Sequence, residues 1–103
     1  MKNTLATLAL VLTATTATAE VNYNPNNKQH QADVTCIAAL SWGRDTFTQA
    51  DAHRAITMVQ NEYILKYAYS KHLNRDTELR KMLLILDGAD TALATLKTCA
   101  NNL

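Results

Sequence analysis

Two cysteines, three histidines and a tyrosine-bearing stretch carry whatever chemistry this 103-residue chain can perform. Cys36 and Cys99 can serve as a metal hook, a redox pair, a nucleophile or a clasp. Zinc hooks and redox pairs set two cysteines a few residues apart, and these two are too distant in sequence for either. The chain has no His-Glu-x-x-His and no helical pair of histidines four residues apart. His30, His53 and His72 are scattered instead. A hydrolytic base at His53, with Asp51 nearby, is the strongest catalytic candidate. On the one long helix expected there, His72 would stand roughly 28 Å from it, so the two cannot share a site. All three histidines read as solvated surface. Two glycines, Gly43 and Gly88, leave no glycine-rich phosphate loop. We therefore expect no catalytic residues, no metal and no cofactor, and read the chain as not an enzyme.

Tyr63 and Tyr67 stand one helical turn apart, with Lys66, Lys71 and Arg75 close in sequence. Tyrosines mixed with basic residues make a candidate partner-binding face, because tyrosine offers a large contact area at low entropic cost. The same tyrosines also read as core residues with hydroxyls at the rim. Glu62, Asp76 and Glu78 dilute the positive charge, which favours that plainer reading. Trp42 reads as a core anchor at the end of the first helix.

Positioning these residues requires an export step and a small domain. Lys2, the apolar run from Leu5 to Leu12 and the small-x-small end Ala17-Thr18-Ala19 form a signal peptide over residues 1–19. The alternative is an anchored N-terminal helix, but the run is shorter than the ~20 residues that span a bilayer. Cleavage near Ala19 removes one charge, Lys2. It leaves nine basic against nine acidic residues from the ten and nine of the whole chain. That balance excludes a protein built to grip nucleic acid, and no second long apolar run places the mature chain in a membrane. The expected location is periplasmic or secreted. In such a compartment two cysteines pair as a disulfide, the alternative being two separately buried thiols.

Residues 20–31, rich in asparagine and glutamine, read as a flexible polar tail. Residues 32–103 read as a single helical domain. Helix 1 is expected from Asp33, as N-cap, to Trp42, with Gly43 as its stop. Thr48 is expected to cap helix 2, with Phe47 stapled onto Ala52. Helix 2 then runs to about Ser70, either as the central helix or with one strip against a partner subunit. Asp76 is expected to cap helix 3. Leu79, Met82, Leu83 and Leu86 form an i, i+3, i+4, i+7 set on it, and Leu84 and Ile85 widen the arc. Asp87-Gly88 marks either a turn before helix 4 or a kink in one longer helix. No stretch alternates as a strand does. The expectation is an all-α protein, a small four-helix array with Cys36 and Cys99 joining the first and last helices.

The signal peptide, the segment Cys36-Ile37-Ala38-Ala39-Leu40, the tyrosine-bearing second helix and Leu96-x-x-Cys99 together resemble small uncharacterised exported helical proteins of Gram-negative bacteria with one disulfide. The resemblance implies a helical fold and a periplasmic compartment, and it carries no active site. Two periplasmic types share the layout. One is the helical immunity protein that blocks a toxin. The other is the small acid-stress chaperone, whose members are richer in charge and have closer cysteines. The leading expectation is a protein-binding module of the inhibitor or immunity type, because apolar surface on helices 2 and 3 exceeds what a small core needs. Its partner is another protein or a second copy in a homodimer. An acid-stress chaperone comes second and a hydrolase a distant third.

Overall fold

The structure is a computed structural model that describes residues 21–103. The expected signal peptide lies outside the described residues. Four helices follow in order: α1, Lys28–Thr46; α2, Ala50–Ile64; α3, Lys71–Asp87; and α4, Ala89–Asn101. Among the described residues there is no strand, only an isolated bridge between Val21 and Tyr67. The all-α four-helix expectation holds, and a disulfide joins Cys36 on α1 to Cys99 on α4 with Cα atoms 5.5 Å apart.

The hub is α1, and of the two places the sequence left open for the second helix, the central one is not taken. Every other helix packs on α1, and α3 also touches α4. Composition explains why. Ala38, Ala39 and Gly43 are small and fully or nearly fully buried, so neighbouring helices approach the α1 backbone closely. A Cβ on Gly43 would sit 2.4 Å from Leu96 Cδ1 of α4 and 3.4 Å from Ile56 Cδ1 of α2. Gly43 was expected as a helix stop. It is a close-approach position inside α1, and the helix runs on to Thr46.

The helix starts also differ from expectation. Asn27 caps α1, its side chain accepting from the amides of Gln29 and His30 at 2.9 and 3.1 Å. The expected cap, Asp33, lies well inside the helix and is buried. Residues 28–31 are thus helical, and Val21 is anchored too: its amide donates to Lys66 O at 3.0 Å, and its carbonyl accepts from Ala68 at 2.9 Å. The polar tail expected over residues 20–31 is, from Val21 onward, bonded to the domain. Gln49, without a side-chain cap bond, precedes α2 where Thr48 was expected. Helix α2 ends at Ile64, and Ser70, not Asp76, caps α3 through the amides of His72 and Leu73. Gly88, at φ 112°, separates α3 from α4. Only glycine adopts that conformation readily, so the chain makes two helices there.

One core cluster joins Val34, Ile37 and Leu40 of α1 to Ile56 and Tyr63 of α2, with Tyr67, Leu73 and Cys99. A second, built on Ala38, Ala39, Leu84 and Ala92, seats α3 and α4 on α1, with Trp42 half-buried against it. Phe47 packs against the first cluster and meets Trp42 edge-on at 6.0 Å.

Candidate functional site

Two features stand out from ordinary packing: a buried polar cluster around Asp33 and the outer face of α3.

Asp33 is 3% exposed. A carboxylate that far from water needs partners, and it has three. The Tyr67 hydroxyl donates to its Oδ2. Gln29 Nε2 donates to Oδ1 at 3.0 Å, and Lys66 Nζ stands 3.7 Å from the same oxygen. Burial, reinforced by the hydrogen bond and the negative charge of Asp33, pushes the Tyr67 phenol up from its ordinary value. Tyr67 meets His30 edge-on at 4.9 Å and Tyr23 at 6.2 Å. The Tyr23 hydroxyl donates to Asp76 Oδ2 on α3 at 2.6 Å, and burial followed by that bond pushes its phenol up to about 12. His30, expected on the loose tail, is half-buried, and its Nδ1 accepts from the Asn24 amide at 2.8 Å.

Chemically this cluster is closed. The carboxylate is occupied as an acceptor, and the two phenols bonded to carboxylates hold their protons, so they make poor nucleophiles at neutral pH. The cluster binds the N-terminal segment, α1, the α2–α3 connection and α3 to one another. It works as a latch.

Tyr63, Tyr67 and Lys66 do come together, but the rings face inward. Tyr63 donates to the Cys99 carbonyl at 2.6 Å, burial raises its phenol, and Lys66 Nζ lies 4.9 Å from its ring centroid. Lys71 and Arg75 are exposed on α3, with Arg75 Nε 3.7 Å from Asp76. The five residues do not form one outward patch. His53 is half-buried on α2, but the Asp51 carboxylate that was to orient it bonds Arg54 at 3.3 Å. His72 lies on α3 rather than at the far end of α2. Among the described residues no three His, Cys, Asp or Glu side chains converge as a metal site, and no helix is long and apolar enough to cross a membrane.

The outer face of α3 is the open feature. Leu73, Thr77 and Leu84 turn into the core. At 100° per residue, Leu79, Met82, Leu83 and Leu86 fall on the opposite side. With Ile85 they are 54–79% exposed. The flanks of α3 are pinned to α1: Arg80 donates to Thr35 Oγ1 at 2.8 Å and Lys81 bonds Asp45. This fixes which side faces out. A groove of about 320 Å³ between Tyr23, Val34, Asp76 and Arg80 opens beside Leu79 and Leu83. The i, i+3, i+4, i+7 set is therefore solvent-facing. Periodicity found the stripe without saying which side it takes; Leu84, which carries apolar character round the helix, is the residue that turns into the core.

Compared with protein-family models, curated proteins and solved structures, the chain matches none.

Proposed function

We propose that the chain is exported and acts as a non-catalytic protein-binding module of the inhibitor or immunity type, with the outer face of α3 as its working surface. Export rests on the Lys2, Leu5–Leu12 and Ala17-Thr18-Ala19 pattern together with the disulfide. The binding role rests on one observation: four large apolar side chains, Leu79, Met82, Leu83 and Leu86, on one side of α3, each more than half exposed. Such contiguous apolar surface is uncommon on a chain that works alone and marks interaction sites. A helix apolar on both sides is ordinarily covered on both.

The test places a photoreactive phenylalanine analogue at Leu83, and at exposed Met58 on α2 as the control. Irradiation in the native cell envelope should give a protein adduct at Leu83 that the Met58 site lacks. Equal or no labelling at the two sites would overturn the binding role. Export is checked separately by the intact mass of the purified protein, which should begin at Glu20 and carry no free thiol.

A further inference from the structure

From the contacts of His30 we infer that its imidazole is a proton-operated catch. Neutral, it holds the N-terminal strap, residues 21–26, against α1 and the α2–α3 connection. Protonated, it lets the strap go while the four helices stay packed.

The strap is tied to the domain along its length. At its start the Val21 amide donates to Lys66 O at 3.0 Å, and the Val21 carbonyl accepts from the Ala68 amide at 2.9 Å. In the middle the Tyr23 hydroxyl reaches Asp76, and the Tyr23 ring stacks beside His30 with centroids 6.1 Å apart. Further on, the Asn24 amide donates to His30 Nδ1 at 2.8 Å. An imidazole that accepts at Nδ1 carries its one proton on Nε2. The only lone pair left for a second proton is the one that the Asn24 amide uses. An imidazolium there sets a donor against a donor, so protonation and the bond exclude each other.

The surroundings of His30 keep that sign. It is the third residue of α1, where the positive end of the helix dipole opposes a cation. Lys28, two residues earlier, carries the same sign of charge. Asp33, one turn on, is already occupied by Tyr67, Gln29 and Lys66. From the connection the Tyr67 ring meets His30 edge-on, and Lys66 adds positive charge beyond Asp33. From α3, Asp76 stands behind the Tyr23 hydroxyl, with Arg75 3.7 Å from it. Tyr23 offers a ring face, but at the outer limit of the cation–π range. Docked, the strap therefore favours the neutral ring; released, it leaves the ring free to take a proton from water. Docking is full in neutral solution and is lost as pH falls through the imidazole range, between about pH 8 and 5.

Release changes the surface next to α3. Tyr23 and Pro25 of the strap form one side of the groove that Val34, Leu79 and Leu83 also line. Without them the buried flank at Val34 becomes continuous with the outer face of α3. The catch thus couples acidity to the extent of exposed apolar surface, and it stands whether or not that face has a partner.

Amide hydrogen exchange of the purified, disulfide-bonded protein reads the strap. The Ala68 amide is protected through the Val21 carbonyl, so its exchange relative to an unstructured amide at the same pH reports docking. We expect that protection to fall at least about fivefold from about pH 7.5 to about pH 5. The midpoint should coincide with that of the His30 ring carbon resonance, while Leu40 in the core of α1 stays protected. His30→Asn puts an amide oxygen near the position of Nδ1 and cannot titrate, so the fall should disappear. His53→Gln combined with His72→Gln should leave it in place. Protection of Ala68 that is level with pH overturns the catch, as does a fall that survives in His30→Asn or one whose midpoint differs from that of the His30 ring. The midpoints are read in the unaltered chain, so the test holds even where the variant folds poorly. Loss of Leu40 protection together with that of Ala68 would mean that the whole domain opens, and overturns a local strap as well.

Discussion

Helices α1 and α3 use apolar residues in opposite ways. The central part of α1 is made of small residues, Ala38, Ala39 and Gly43, with Leu40 among them, and all are buried. Between Leu79 and Leu86, α3 carries larger apolar side chains, yet of these only Leu84 is buried. Burial here follows position in the assembly and not hydrophobicity. A small-residue helix lets three others approach it and becomes the centre. A large-residue helix on the periphery keeps one side for the core and one for something outside. The difference separates stability from interaction: substitutions on α1 should unfold the protein, and substitutions on the outside of α3 should leave it folded.

The largest effect should come from the clasp that fixes α4 to the hub. The cysteines are 63 residues apart in sequence, so Cys36→Ala with Cys99→Ala should cost about 4 kcal/mol through the freed unfolded chain, read from urea unfolding. Next, Leu40→Ala on α1 should cost about 3 kcal/mol by opening a cavity in a fully buried site. A loss under about 1 kcal/mol would mean that α1 is not the centre described here. Tyr67→Phe should cost about 1.5 kcal/mol by leaving Asp33 short of a donor, with no change in helix content by circular dichroism.

The same phenols set an alkaline limit. Tyr23 and Tyr67 hold their protons more tightly folded than unfolded, Tyr23 to about 12. Their contribution is therefore full below the ordinary tyrosine value near pH 10 and lost as pH rises through the folded values. Melting temperature should be level up to about pH 10 and fall beyond it, and Tyr23→Phe should reduce the slope. The smallest effect is expected on the far side of α3. Leu86→Ala should change stability by no more than about 0.5 kcal/mol, and a cost near that of Leu40→Ala would erase the contrast between the two helices.

The four-helix array and its clasp were legible because apolar spacing and the cysteine count are local signals that burial reinforces. The misreadings arose where a residue had two uses. Asp33 has the chemistry of an N-cap, but its carboxylate serves Tyr67, from a different part of the chain. Gly43 has the chemistry of a stop, but it makes room for Leu96 and Ile56. Tyr67 continues the spacing of α2, yet it follows the helix end and is held by the latch and by the backbone bonds of its neighbours to Val21. On α3 the strongest stripe in the sequence faces outward, while the core side includes Thr77. A periodic pattern gives the phase of a face but not its destination when a helix has two.

The bridge between Cys36 and Cys99 also sets how the molecule responds to force. Pulled from its two ends, the oxidised chain transmits tension across the sulfurs, and the loop between them is shielded from it. Only the segments outside residues 36–99 can lengthen. Reduction would release the 63-residue separation, adding roughly 220 Å of contour length to the extension curve. In mechanical terms most of the domain hangs as a slack loop from a single tether point, and its persistence under load depends on one covalent bond.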